Sequence, residues 1–194
     1  MAFEKQTDKK VAACLAPGCE EVEALAVTDV LFRMGIQADL VAVSDKRTIT
    51  SSHKVTITCA YTLDEVDLNT YDMIFLPGGM PGTNNLAAAE KLMDAVDNFV
   101  RAGKDVAAIC AAPAVILARR GHLVGRRATA NPNFQAELAQ NGAEVVTNER
   151  VVISDNILTS QGMGTAADLG LAIVERYLGK DAADEAKQKI VYWG

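Results

Sequence analysis

Short, unbroken apolar runs separated by longer segments of helical pattern constrain this chain more than any other feature. VAACLA (11–16), ADLVAVS (38–44), DMIFLPGG (72–79) and DVAAIC (105–110) are apolar along their length rather than at alternate positions. A strand of that kind is covered on both faces, which implies a parallel sheet with helices on each side. Helical patterns over 20–34, 84–103, 134–141, 165–178 and 180–190, and a shorter one in APAVILARRG, fill the intervals. Gly35 and Gly103 close two of them, and Pro113 suits the first turn of a third. VTIT (55–58), EVV, RVVIS and NILTS supply further β segments. The expected fold class is α/β: one doubly wound, mostly parallel sheet with helices on both faces.

Composition narrows the function. In 194 residues, hydrophobic residues make up 49% and charged residues 23%, the balance of a globular chain rather than a disordered one. Lys plus Arg is 19 against 25 for Asp plus Glu, a net charge of −6, which argues against a nucleic-acid groove or an anionic membrane surface as partner. No apolar stretch reaches the length of a membrane span. The first residues, MAFEKQTDKK, lack the apolar core of a secretory signal and read as a polar tail over 1–10. Cys14, Cys19, Cys59 and Cys110 form no C-x-x-C pair and have only His53 and His122 to supplement them, so no metal site is expected. Unpaired thiols in such a chain point to a reducing, cytoplasmic setting.

Ligands of open parallel sheets bind beyond the carboxyl ends of the strands, where loops turn into helices. Three loops qualify: 17–23, 77–82 and 110–113. Cys110 ends the strand DVAAI immediately before Ala111, Ala112 and Pro113. A thiol there faces unpaired helix N–H groups and the positive end of a helix dipole, which favours the thiolate. Small neighbours also permit the sharp strand-to-helix turn that exposes a nucleophile. PGGMPG (77–82) brings backbone N–H groups close to a ligand but matches neither common phosphate-loop motif, and no Ser/Thr-rich phosphate loop follows the first strand, so no nucleotide or flavin cofactor is expected.

In the first loop, Glu20 and Glu21 read as solvated residues answering the helix dipole. Glu23 lies on a stripe with Val27, Val30 and Met34. A carboxyl on that stripe is desolvated and holds its proton nearer neutrality, fit to act as general acid or base beside a thiol. Cys14 reads as core, Cys19 as a loop residue open to oxidation, Cys59 as the end of a β segment, and His53 and His122 as surface or helix-end residues.

The stretches LAPGCEEVEA (15–24), FLPGGMPG (75–82), AAICAAPAVILA (107–118) and ILTSQGMGTAADLGLAIVE (157–175) together resemble the ThiJ/PfpI superfamily, in its DJ-one and YajL-like branch. The resemblance spans essentially the whole chain. It implies a flavodoxin-like sandwich over 11–194 as a single domain of the class I glutamine amidotransferase-like type, a homodimer, and an oxidation-sensitive nucleophilic cysteine. Carried onto this sequence, the nucleophile is Cys110, its carboxyl partner Glu23, and the oxyanion-type pocket the backbone N–H groups of Gly79 and Ala111. Arg33 matches a family arginine near the dimer interface. Human-type members carry a His in a THP stretch where this chain has Asn131, a His that YajL-like members also lack. Ala111 stands where the peptidase branch has His, which argues against peptidase activity. His53 stands where the family has an arginine. The implied activity is cofactor-independent conversion of glyoxal, methylglyoxal or early glycated adducts to hydroxy acids, serving carbonyl and oxidative stress defence. The rival implication is a redox-sensing holdase chaperone in which the same cysteine senses peroxide.

Overall fold

The computed structural model describes residues 3–193. Residues 1 and 2 of the expected tail, and Gly194, lie outside them. In chain order the elements are β1 (Lys10–Leu15), α1 (Glu21–Arg33), β2 (Gln37–Ala42), β3 (Thr48–Thr50), β4 (Thr56–Thr58), β5 (Tyr61–Thr62), β6 (Met73–Leu76), α2 (Gly82–Ala87), α3 (Glu90–Ala102) and β7 (Asp105–Ile109). A buried helical segment, Pro113–Ala118, follows, then β8 (Arg127–Ala128), α4 (Gln135–Gln140), β9 (Glu144–Val145), β10 (Val151–Ser154), β11 (Ile157–Ser160), α5 (Ala166–Leu178) and α6 (Lys180–Lys189).

The central sheet has the order β10-β11-β7-β6-β1-β2-β5. Every pairing in it is parallel except the hairpin of β10 with β11. Its five inner parallel strands, taken by their order in the chain, run 2-1-3-4-5, the flavodoxin-like order, with its switch point between β1 and β6. The expected architecture is therefore the observed one.

Continuous apolar strands arise because each face of the sheet has its own helical layer. Val11, Ala13 and Leu15 of β1 pack with Phe75, Val27, Leu31 and Val174 on the side of α1 and α5. Ala12 and Cys14 turn to the opposite face, with Ile74, Leu76, Leu92, Val96 and Phe99 under α3. All five residues of β7 are buried, so the strand delivers whatever follows it to the sheet's upper edge with little freedom.

Five local expectations change. The helix expected over 84–103 is two helices, because Ala89 is extended (φ −84°, ψ 92°) and caps α3 afresh. Nothing in the run LAAAEK marks that break, since alanine suits either continuation. The helix after Cys110 is π-type: the N–H of Arg119 bonds the carbonyl of Ala114 and that of His122 bonds Leu117, each five residues back. The β segment at 55–58 pairs with an unexpected strand, β3, in a separate hairpin, and EVV shortens to β9 beside β8. Residues 3–9 are tied down rather than free: the Gln6 N–H donates to the Gly35 carbonyl at 2.9 Å, and Phe3 stacks on Phe32 with centroids 5.3 Å apart.

Candidate active site

Three strand ends meet beside the switch point. β1 leads through a tight turn to α1 and Glu23, β6 leads to Gly78 and Gly79, and β7 leads to Cys110. Glu20 caps α1, its Oε2 accepting from the Glu23 N–H at 2.6 Å. That cap sets the phase of the helix, so Glu23 falls on the inward stripe with Val27, Val30 and Met34, all buried. Glu23 itself is 1% exposed.

Cys110 sits at φ +65°, a left-handed conformation that side-chain-bearing residues rarely adopt. Two backbone bonds hold it there: its N–H donates to the Ser160 carbonyl at 3.0 Å, and its carbonyl accepts from Asn131 at 2.9 Å. The turn is the sharp strand-to-helix elbow expected from the sequence. It leaves Cys110 partly exposed while Cys14, Cys19 and Cys59 are buried.

Gly78 is what lets acid and thiol meet. Its N–H donates to Glu23 Oε2 at 2.9 Å. A Cβ there would lie 2.5 Å from Cys110 Cβ, 2.7 Å from Glu23 Oε2 and 3.1 Å from Cys110 Sγ, so only glycine fits. The Glu23 carboxyl and the Cys110 thiol face each other across this gap close enough to shift each other's titration, and the backbone amides of Gly79 and Ala111 act on the sulfur as well. Gly79, at φ +87°, is required too: a Cβ on it would sit 2.3 Å from the Glu20 nitrogen.

Burial pushes Glu23 up to about 7, against the pull of hydrogen bonds from the Gly78 amide, the Cys110 thiol and the Met163 amide. That direction is the one expected. For the thiol the expectation is corrected. Burial first, and then an ionised Glu23, push Cys110 up to about 12, outweighing the amides of Gly79 and Ala111 that pull it down. Desolvation beats the helix end here because the sulfur lies under the loops and the segment behind it is a short π-type turn. The first proton to leave the pair is therefore mainly the carboxyl's, and the sulfur is anionic in the minor form in which Glu23 holds the remaining proton.

The other candidates separate from this pair. Cys19 is fully buried, not an exposed loop thiol, and burial pushes it up to about 12 as it does Cys14. Cys59 is likewise buried and pushed up to about 11. His122 Nε2 lies 2.7 Å from Asp97 on α3, and His53 Nδ1 lies 3.1 Å from Glu21 and 3.7 Å from Glu20. Neither imidazole is placed on the thiol. Glu20 and Glu21 are more covered than expected, each side chain 13% exposed. Glu20, Glu21 and His53 hold donor atoms within 4.8 Å of one another, and the same atoms make a hydrogen-bonded cluster at a helix start. Sequence reasoning missed Gly78, Met163 and Gly162. Of these only Gly78 left a signal, as the second residue of the PGG turn.

A model of the DJ-1/PfpI family matches residues 9–176. The chain belongs to the DJ-1/PfpI family. Within it the relatives are DJ-1-like. Protein DJ-1 homolog B of Arabidopsis thaliana is 36% identical over 167 residues, covering 86% of this chain, and the chain spans only 37% of that protein's length. The Caenorhabditis elegans protein named glutathione-independent glyoxalase DJR-1.2 is 34% identical over 175 residues, covering 89% of this chain and 91% of that one. Among solved structures, Drosophila melanogaster DJ-1beta superposes with a TM-score of 0.91 at 32% identity, covering 97% of this chain and all of that one. Among the described residues no helix is long and apolar enough to cross a membrane.

Proposed function

We propose that this DJ-1/PfpI member is a cofactor-independent glyoxalase acting on small 2-oxoaldehydes, and on early glycated adducts that present the same carbonyl. The observation that carries this reading is the Glu23–Cys110 pair closed over Gly78, with the Gly79 and Ala111 amides directed at the sulfur. With the shared proton on Glu23, the thiolate adds to the aldehyde carbon to form a hemithioacetal. The oxyanion that forms is met by the two amides and takes the proton held by Glu23, which leaves the carboxylate as the base for the next step. Glu23, poised near neutrality, then carries a proton from the aldehyde carbon to the neighbouring carbonyl through an enediol, leaving a thioester and a new hydroxyl. Water hydrolyses the thioester, releasing a 2-hydroxy acid and regenerating the thiol. One carbon is oxidised as its neighbour is reduced, so water is the sole co-reactant. The nematode relative named a glutathione-independent glyoxalase supports this reading.

Hydroxy-acid formation from methylglyoxal is the test, with Cys110→Ser and Glu23→Gln as variants. Both are expected to lose turnover. A variant that retains wild-type turnover removes that residue from the mechanism, and a wild-type protein without turnover removes the enzyme.

One observation favours a second role, peroxide sensing. Cys110 is the one cysteine among the described residues with solvent access, and an acid and two amides surround its sulfur. The same donors suit sulfinate oxygens. Selective oxidation without turnover would favour this holdase or sensor reading. A cytoplasmic homodimer belongs to the proposal as well. Val22, Leu25 and Phe32 leave an apolar stripe on the outer side of α1, close in sequence to the site, for a second copy to cover.

A further inference from the structure

Asn131 stands beside the thiol–carboxyl pair with an unused hydrogen-bond donor. Its N–H bonds the Cys110 carbonyl at 2.9 Å, which ties its position to the nucleophile's own backbone. Its Oδ1 accepts from the Asn133 N–H at 3.1 Å, capping the short turn that follows. That cap fixes which way the amide faces, because the opposite rotamer would set two donors against each other. Nδ2 is therefore turned away from the turn, and it makes no hydrogen bond among the described residues.

The space it faces is bounded by Gly162. A Cβ on Gly162 would lie 3.5 Å from Asn131 Nδ2 and 3.8 Å from Glu23 Oε1. The donor and the second carboxyl oxygen thus both lie next to the place that a side chain at 162 would occupy. Glu23 Oε2 accepts from the Gly78 N–H, and the thiol and the Met163 amide also act on the carboxyl. Oε1 is the carboxyl oxygen next to Gly162.

We propose that Asn131 Nδ2 donates a hydrogen bond to the second carbonyl oxygen of a 1,2-dicarbonyl substrate, making Asn131 the residue that selects 2-oxoaldehydes over simple aldehydes. This rests on the glyoxalase reading for its substrate class. A simple aldehyde forms the same hemithioacetal with Cys110 but offers nothing to Asn131. A 2-oxoaldehyde presents an oxygen on the adjacent carbon, and a donor there also draws electron density from that carbonyl as the enediol forms. No covalent step is added: the hydrogen bond orients the carbonyl carbon that receives the proton from Glu23.

The test measures how well methylglyoxal, and separately propanal, protect Cys110 from iodoacetamide, which reads binding whether or not turnover occurs. Asn131→Asp keeps an oxygen to cap Asn133 and has no donor, while Asn131→Ser keeps a capping oxygen but carries its O–H on a side chain too short to reach where Nδ2 stands. One neutral hydrogen bond is worth roughly three- to tenfold in affinity. Methylglyoxal protection is expected to weaken by about that factor in both variants, while propanal protection stays within about twofold of wild type. Loss of protection by both aldehydes in parallel, or by neither, overturns the proposal. Turnover followed in the same samples separates the two ideas: a wild-type protein that binds methylglyoxal selectively without converting it sinks the glyoxalase reading and leaves the role of Asn131 standing.

Discussion

Glu23 Oε2 and Cys110 Sγ converge on a single point, lying 2.7 and 3.1 Å from where a Cβ on Gly78 would be. An acid from the first strand's helix and a thiol from the elbow after β7 are thus spaced by the missing side chain of a third residue. Gly78→Ala puts a methyl into that gap, 2.5 Å from Cys110 Cβ, which the elbow's backbone holds fixed. Overpacking of this kind costs about 1–3 kcal/mol. The expected outcome is a lowered Tm together with lost methylglyoxal turnover. An alanine variant with wild-type Tm and turnover would show that the gap does not matter.

A shared proton has a signature in thiol reactivity. As pH rises the pair loses its first proton near 7, the value to which burial lifts Glu23, and the resulting singly protonated pair is mainly Glu23-COO⁻/Cys110-SH with a minor Glu23-COOH/Cys110-S⁻ form. The thiolate fraction therefore rises through about pH 7 and then levels off, because the second proton leaves only near the raised value of about 12. Alkylation of Cys110 by iodoacetamide is expected to follow that profile, whereas Glu23→Gln abolishes the inflection near 7. An unchanged profile in Glu23→Gln would assign the titration to the thiol alone. Peptide mapping is expected to find the label at Cys110, since Cys14, Cys19 and Cys59 are buried and burial raises all three.

Glu23 also leaves a mark on stability. Its folded value, about 7, lies above the ordinary 4.5, so the unfolded chain releases this proton first as pH rises. The contribution is fully favourable below 4.5, declines between 4.5 and about 7, and is lost above, a penalty of roughly 3 kcal/mol at pH 8. Glu23→Gln removes the ionisable group and keeps an oxygen for the Gly78 amide. Its Tm relative to wild type is expected to climb between pH 4.5 and 8 and to stay level above. A difference independent of pH would mean that Glu23 ionises freely in the fold.

Much of this arrangement is legible in the sequence because it depends on local pattern. The unbroken apolar runs of β1, β6 and β7 specify strands covered on both faces, and that alone places their following loops at the ligand-binding edge. The stripe Glu23, Val27, Val30 and Met34 specifies a buried carboxyl. What escapes is set by distance in space. Gly78 is essential only because two side chains, one of them 55 positions earlier, close over it. The upward shift of the Cys110 thiol depends on how deeply loops cover it, which no spacing encodes. Cys19 looks like a loop thiol, yet Ala16 and Ser52 bond its backbone into a turn that seals it in. The division between α2 and α3 is silent because alanine accepts either backbone.

The elbow itself makes a final prediction, on the cost of holding a nucleophile in place. Cys110 is at φ +65°, where a Cβ crowds the following carbonyl at a cost of about 1–2 kcal/mol, and glycine escapes that penalty. The hydrogen bonds to Ser160 and from Asn131 use only backbone atoms, so substitution leaves them intact. Cys110→Ala and Cys110→Gly both remove the sulfur, and they differ in the Cβ. The glycine variant is expected to be the more stable by about 1 kcal/mol, after allowance for the greater freedom glycine gives the unfolded chain, which opposes the gain. Denaturant unfolding of the two variants measures that difference directly. If Cys110→Ala proves as stable as Cys110→Gly or more so, the elbow stores no strain, and the cysteine's position rests on packing alone.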